Sequence, residues 1–193
     1  RPAESFRYAL DRDVADEHRI RRYGFHGTSH AYVSARATQF LGIPVAGSRI
    51  ITLHLGNGAS ACAVRDGRSA DTSMGLTPLA GLVMGTRTGD IDPGVLLHLL
   101  RAGMSVADLD RLLNKRSGMK GLAGDNDLRQ VHARAAAGEV AAREALQVYV
   151  HAIRHYLGAY LVELGGADAI VFTAGVGEND AQVREWTCAA LTG

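Results

Sequence analysis

The chain has 193 residues and a formal net charge of +1, with 47% hydrophobic and 21% charged residues. This length fits one domain of ordinary size, and the apolar content excludes a largely disordered chain. The balanced charge gives no basic surface for nucleic acid, and no apolar run has the length of a membrane span, so neither partner is expected. Two distant cysteines, Cys62 and Cys188, favour a reducing, cytoplasmic compartment over a disulfide framework.

The first half of the chain is predicted to contain one helix and three strands. The helix spans residues 28–41, where apolar side chains recur on one face and Thr28 or Ser29 can cap the start. Apolar or alternating segments predict strands at 50–55, 61–65 and 68–72. Asp66-Gly67 separates the last two strands and is typical of a two-residue hairpin turn.

The second half is predicted to be mainly helical around one further strand. Helices are predicted after Pro93, after Ser105, at 139–164 and at 180–191. A buried strand is predicted at 168–173, and two glycine-rich segments, 73–94 and 118–126, are predicted as loops. This order of elements indicates an α/β domain, with a mixed sheet and helices packed on it.

A glycine-rich turn follows a predicted strand at two places. The first is Gly56-Asn57-Gly58, and the second begins at Gly175 and leads into a helix. Glycine lets backbone N–H groups approach an anion closely, and the N-terminus of a helix favours phosphate. Ordinary turns that need glycine for their geometry explain the same pattern. Neither the Walker A nor the Rossmann pattern occurs in the sequence.

Histidine and arginine side chains stand near these turns in the sequence. His26 precedes the first predicted helix, and Arg87 lies among glycines and threonines, so each is a candidate to hold a phosphoryl group. Solvated charges at a helix start and a surface loop explain these patterns equally well, and His54 is alternatively a core histidine. His151 and His155 have no third ligand at a suitable spacing, which predicts a polar helix face and not a metal site.

Four long segments together resemble the acetate kinase family, within the superfamily of acetate and sugar kinases, Hsp70 and actin. They are RRYGFHGTSH at 21–30, HLGNGAS at 54–60, DTSMGLTPLAGLVMGTRTGDIDPG at 71–94 and FTAGVGEN at 172–179. The resemblance implies an actin-like, ribonuclease H-like ATPase fold and a homodimer. It also implies reversible phosphoryl transfer from ATP to acetate with Mg²⁺, which yields acetyl phosphate and ADP.

The resemblance also implies roles for individual residues. The family's catalytic histidine and arginine match His26 and Arg87. The phosphate-binding loop of the family matches His54, Leu55, Gly56, Asn57 and Gly58. The two segments that hold adenosine match Asp127, Leu128 and Arg129, and Gly175, Val176, Gly177, Glu178 and Asn179.

The sequence departs from the family in extent. Family members are roughly twice as long, and their first domain, a catalytic aspartate and the acidic magnesium ligand have no counterpart in this sequence. Residues 1–193 are therefore expected to form most of the second, nucleotide-binding domain, inactive alone and without a metal ligand. Two alternatives stay open: a propionate or butyrate kinase, and a truncated nucleotide-binding module without catalytic activity.

Overall fold

A four-stranded mixed sheet forms the centre of the chain in the computed structural model, which describes residues 1–189 and 191. The strands are β1 (Arg49–Leu55), β2 (Ala59–Arg65), β3 (Arg68–Thr72) and β4 (Ala169–Thr173). Their order is β3-β2-β1-β4, with β1 antiparallel to β2 and parallel to β4, and β2 antiparallel to β3. The predicted mixed sheet and all four predicted strands are confirmed.

Ten helices accompany the sheet in the described part of the chain. They are α1 (Ala3–Phe6), α2 (Arg12–Glu17), α3 (Gly27–Leu41), α4 (Pro93–Arg101), α5 (Val106–Lys115), α6 (Gly118–Ala123), α7 (Leu128–Ala136), α8 (Val140–Leu164), α9 (Ala174–Asn179) and α10 (Ala181–Cys188). None of these is both long and apolar enough to cross a membrane. The predicted final helix includes Ala190, which lies outside the described residues, as do Thr192 and Gly193 of the predicted domain.

The core has a separate layer on each face of the sheet. Alternate residues of β1 point to opposite faces, so Ile51 and Leu53 pack towards α8 while Ile50 packs with Cys62 towards α3. All the β1 side chains just named are fully buried. A strand covered on both faces reads as a continuous apolar run, which is why its position was predictable.

The hairpin turn and the long helix follow their local sequence. Asp66 and Gly67 both have positive φ, 53° and 70°, as the two central residues of a type I′ turn require. In α8, Ile153 and Leu157 belong to the buried stripe, and Tyr149, outside that stripe, is also buried. These predictions are confirmed because each depends on residues close together in the chain.

Two local predictions are wrong, and one helix was not predicted. The predicted loop at 118–126 contains helix α6, because the loop carbonyls of Met84 and Gly85 accept hydrogen bonds from its first turn. Helix α7 lies in residues 127–138, for which no element was predicted. The turn predicted after β4 is helix α9, in which packing against the sheet overrides the low helix propensity of glycine.

Two further details differ from the predictions. The N-cap of α3 is His26, with φ 57°, and neither Thr28 nor Ser29 caps this helix. Strand β4 is half-buried along its whole length, not fully buried as predicted, because it is the edge strand of the described sheet.

Candidate active site

The turn between β1 and β2 is the centre of the candidate site. Gly56 N donates a hydrogen bond to Gly58 O at 3.1 Å, which closes the turn. A Cβ atom on Gly58 would stand 3.0 Å from Arg87 Nη2 and 3.7 Å from His26 Cε1. The turn therefore lies beside both side chains predicted to be catalytic, and the absence of a side chain at Gly58 leaves room for both.

His26 is held by its backbone and by two neighbours. Its left-handed backbone at the start of α3 directs the ring towards β2, where Nδ1 lies 2.8 Å from Ser60 Oγ. The ring also stacks on His54, with 4.0 Å between centroids and an angle of 22° between planes. His54 in turn is held by Ser29, whose Oγ lies 2.9 Å from His54 Nδ1.

A buried pair of hydrogen bonds continues inward from His26. His30 is 4% exposed, and its Nε2 lies 2.8 Å from Ser60 Oγ. On the other side of the ring, His30 Nδ1 lies 2.7 Å from Thr52 Oγ1. Ser60 thus contacts two histidines at once, and the cluster joins α3 to both central strands.

The three histidines are neutral at pH 7. Burial, together with the nearby His54 and Arg87, lowers the pKa of His26 to about 4. Burial and the other two histidines lower the pKa of His30 to about 4, and burial also lowers the pKa of His54. Arg87 consequently supplies the positive charge of this cluster, since a guanidinium remains protonated in proteins.

Arg87 is placed by an ordered loop. Its Nη1 donates a hydrogen bond to Pro78 O at 2.6 Å, within the same long loop. The backbone is fixed where Ser117 N donates to Thr86 O at 3.1 Å and Met84 N donates to Arg87 O at 3.2 Å. A guanidinium and the N–H groups of a glycine turn are suited to an anion whose charge is spread over several oxygens.

A cavity of about 710 Å³ lies next to this cluster. Its wall includes residues from all three segments that the sequence assigned to the nucleotide. They are Gly56 and Asn57, then Asp127, Leu128 and Arg129, then Gly175, Val176 and Asn179. Parts of the chain that are far apart in sequence therefore meet around one space of a size that takes a small-molecule ligand.

Local hydrogen bonds shape the cavity wall. Asn126 Nδ2 donates to Asn57 Oδ1 at 3.0 Å, which fastens the β1–β2 turn to the segment before α7. Asp127 caps α7 and accepts two hydrogen bonds from the Arg129 guanidinium, at 2.9 and 2.6 Å. That guanidinium holds the pKa of the Asp127 carboxyl below its usual range.

Several sequence-predicted residues do not line this cavity. Leu55 is fully buried in the core, and a Cβ on Gly177 would meet the Phe172 backbone at 3.3 Å. Glu178 accepts a hydrogen bond from Thr173 Oγ1 at 3.3 Å and is absent from the wall. His54 and Gly58 lie outside the cavity wall, next to His26 and Arg87.

The sequence interpretation missed other residues of the site. Asn126 lies beside the assigned Asp127, and Ser60 and His30 lie inside the quoted motifs without an assigned role. His132 and Asp180 were also missed; they line the cavity, and His132 Nε2 lies 2.8 Å from Asp180 Oδ2. A polar side chain next to an assigned residue was a signal for Asn126 and Asp180, but not for His132, His30 or Ser60.

The predicted polar face of α8 carries no metal cluster. His151 and His155 are exposed. Within residues 1–189 and 191, no group of three histidine, cysteine, aspartate or glutamate side chains is close enough together to hold a metal ion.

Comparison with known proteins gives consistent matches over the whole chain. The model of the acetokinase family matches residues 1–193. The acetate kinase of Clavibacter michiganensis subsp. michiganensis is 62% identical over 191 residues, which cover 98% of this chain and 48% of that protein. The chain spans about half the length of the curated relatives it matches.

Two solved structures show the same fold. The crystal structure of Porphyromonas gingivalis acetate kinase superposes with a TM-score of 0.96 at 48% identity, covering 98% of this chain and 48% of that one. A propionate kinase from Francisella tularensis subsp. tularensis gives a TM-score of 0.94 at 44% identity, covering 98% and 49%. The actin-like ATPase fold expected from the sequence is therefore confirmed.

Proposed function

Because the chain belongs to the acetokinase family, we propose that it supplies the nucleotide-binding half of an acetate kinase. The enzyme transfers the terminal phosphoryl group of ATP reversibly to acetate and forms acetyl phosphate and ADP. In this proposal residues 1–193 form most of the second domain of the complete polypeptide.

One observation carries the proposal: the turn 56–58 joins the 710 Å³ cavity to the pair His26 and Arg87. Adenosine occupies the cavity beside Asp127 and Gly175, and the polyphosphate follows the turn. The terminal phosphoryl group then lies between His26 and Arg87. A binding cavity and cationic or N–H donors in this order are what phosphoryl transfer requires.

The reaction needs positioning and charge stabilisation more than covalent chemistry from the protein. A carboxylate oxygen of acetate forms a bond to the terminal phosphorus while the bond from phosphorus to the bridging oxygen of ADP breaks. Negative charge is then spread over three equatorial oxygens. Arg87 can donate to two of them in a fork, and the exposed edge of His26 lies beside a third.

Magnesium is part of the proposed reaction. Because Mg²⁺ is usually held by one or two carboxylates together with substrate phosphates and waters, we assign the ion to the nucleotide phosphates and to residues outside this chain.

A homodimer and a cytoplasmic location also belong to the proposal. On α8, Tyr149 and Tyr160 are covered by the chain's own core, whereas Val162 remains 84% exposed and Val148 42% exposed. Exposed apolar side chains such as these two valines favour a partner surface. Both cysteines are free thiols, in keeping with a reducing compartment.

The proposed function is tested with the complete polypeptide in a hydroxylamine-coupled assay for acyl phosphate. We expect turnover with ATP and acetate, and a lower kcat/KM with propionate and butyrate. A preference for propionate would favour the second candidate, which the likeness to a propionate kinase supports. No acyl phosphate from any of these acids, from folded protein that binds ADP, would refute the proposed activity.

A further inference from the structure

A chain of three buried side chains ends at His26. Thr52 and Ser60 are fully buried and His30 is 4% exposed. Successive polar atoms along Thr52, His30, Ser60 and His26 are 2.7, 2.8 and 2.8 Å apart. These short, buried contacts form one continuous line from the sheet interior to the candidate phosphoryl site.

The line can have only two proton arrangements. Ser60 has a single hydroxyl proton and lies between two histidine nitrogens, so it donates to one and accepts from the other. A neutral imidazole likewise has one donor and one acceptor nitrogen. The tautomers of His26 and His30 are therefore coupled: either both rings carry the proton on Nδ1, or both carry it on Nε2.

The inner end of the line decides between the two arrangements. With the protons on Nδ1, Thr52 accepts a hydrogen bond from His30. The Thr52 hydroxyl can then donate only to Cys62 O, which lies 3.4 Å from Thr52 Oγ1. That distance exceeds the usual 2.5–3.0 Å range of an O–H···O bond. With the protons on Nε2, Thr52 instead donates to His30 Nδ1 at 2.7 Å. The second arrangement gives the hydroxyl the shorter bond.

We propose that Thr52, His30 and Ser60 are positioning residues that hold neutral His26 with its proton on Nε2, so that this atom donates a hydrogen bond to the transferring phosphoryl group. The inference rests on the proposed kinase function and adds the protonation state on which the role of His26 depends. Without this arrangement, a neutral His26 presents a bare lone pair to an anion and repels it.

The surroundings of His26 agree with this assignment. Among residues 1–189 and 191, Nε2 has no hydrogen-bond partner. The neighbouring Cε1 atom lies 3.7 Å from the position that a Cβ on Gly58 would take. Because the pKa of His26 lies at about 4, the ring is uncharged at pH 7, and the tautomer alone determines whether Nε2 can donate.

The direct test is ¹⁵N NMR of histidine-labelled protein at pH 7, using the complete polypeptide. Long-range ¹H–¹⁵N spectra distinguish the two neutral tautomers, and a His26→Gln variant identifies the His26 signals. We expect the protons of His26 and His30 on Nε2. A wild-type spectrum with the His26 proton on Nδ1, or with His26 charged, would overturn the proposal whatever the variants do.

Variants then connect the tautomer to turnover. Ser60→Ala removes the hydroxyl that connects His30 to His26. We expect kcat to fall about 10–100-fold with little change in the KM for ATP, and His26 to become a mixture of tautomers. Ser34→Ala is the matched control. Ser34 lies in α3 and is buried like Ser60, but its hydroxyl donates to the helix carbonyl of Ala31. This control should keep both the wild-type kcat and the wild-type spectrum.

His30→Gln is the conservative variant at the middle of the line of hydrogen bonds. A glutamine amide can present an N–H to Ser60 where His30 Nε2 stood, so we expect kcat within about threefold of wild type. Folded Ser60→Ala with unchanged kcat and spectrum would overturn the inference, and if that variant does not fold, the wild-type spectrum decides. Failure of the proposed function appears separately, as wild-type protein that shows the Nε2 proton but forms no acyl phosphate.

Discussion

The guanidinium of Arg87 lies so close to Gly58 that a Cβ atom on this glycine would stand 3.0 Å from Nη2. Such a Cβ would therefore press the β1–β2 turn against the loop that carries Arg87. The φ of Gly58 is not in the left-handed region, so alanine can adopt its backbone conformation. The absence of a Cβ at position 58 therefore serves the position of Arg87 and not the folding of the turn.

Gly58→Ala should consequently lower activity while leaving stability almost unchanged. We expect kcat to fall about tenfold in the complete polypeptide, because a displaced guanidinium loses part of its transition-state contact. Gly158→Ala in α8 is the control, since a Cβ there would meet nothing within 4 Å. Steady-state kinetics and a thermal melt of both variants check this expectation; a large drop in Tm for Gly58→Ala with normal kcat would contradict it.

The two glycines of α9 should behave differently. Gly175 lines the cavity, and a Cβ there would meet no atom within 4 Å, so Gly175→Val puts its bulk into the cavity. We expect about tenfold weaker ADP binding by calorimetry with an unchanged Tm.

Gly177 supplies the matched comparison for Gly175. A Cβ at this buried position would press on the Phe172 backbone at 3.3 Å, so Gly177→Ala should lower the unfolding free energy by about 1–3 kcal/mol. ADP affinity of the folded fraction should remain normal. Weaker ADP binding in a fully stable Gly177→Ala would instead restore the direct nucleotide role that the sequence suggested for it.

Acid should destabilise the chain through His30. Its pKa lies at about 4 in the folded state, below the ordinary 6.5, so between these values the unfolded state binds a proton that the folded state does not. Stability is therefore complete above pH 6.5 and falls as the pH drops towards 4. We expect His30 to account for a loss of about 2 kcal/mol at pH 5.

Urea unfolding at pH 7 and pH 5 measures this loss, and His30→Gln serves as the comparison. Glutamine does not titrate in this range, so the variant should lose less stability between the two pH values than wild type. Equal losses in both proteins would show that His30 titrates normally in the fold.

The sequence predicted the parts of the fold that local residues determine. Asp66-Gly67 needs only its own backbone preference to make a turn, and the stripe of α8 repeats within one element. Helix α6 could not be predicted this way, because its first N–H groups bond to carbonyls of Met84 and Gly85, more than thirty residues earlier.

In the candidate site too, the sequence predicted what local residues determine and missed what distant contacts determine. The motifs pointed to His26, Arg87 and the glycine turns, but not to the direction in which each side chain faces. Leu55 and Gly177 stand within assigned segments yet face the core, because the alternation of a strand and the packing of α9 decide this. Ser60 gave no signal of its own, since its importance lies in contacts with two histidines.

Arg87 is expected to matter through its geometry as well as its charge. Its Nη1 is engaged by Pro78 O, while Nη2 faces Gly58 and the phosphoryl site. Arg87→Ala in the complete polypeptide should lower kcat by at least about 100-fold, which corresponds to about 2.7 kcal/mol of transition-state stabilisation. Arg87→Lys keeps the charge but not the planar fork, so it should recover only part of this loss.

The melting temperature separates this role from a structural one. Arg87 is only half-buried in a loop outside the core, so both variants should melt within a few degrees of wild type. Arg65→Ala is the control, because Arg65 also donates to a backbone carbonyl, that of Glu163, but at the opposite end of β2 from the turn 56–58. If Arg87→Ala lowers Tm sharply while its folded fraction keeps near-normal kcat, Arg87 serves the loop through Pro78 and does not act on the phosphoryl group.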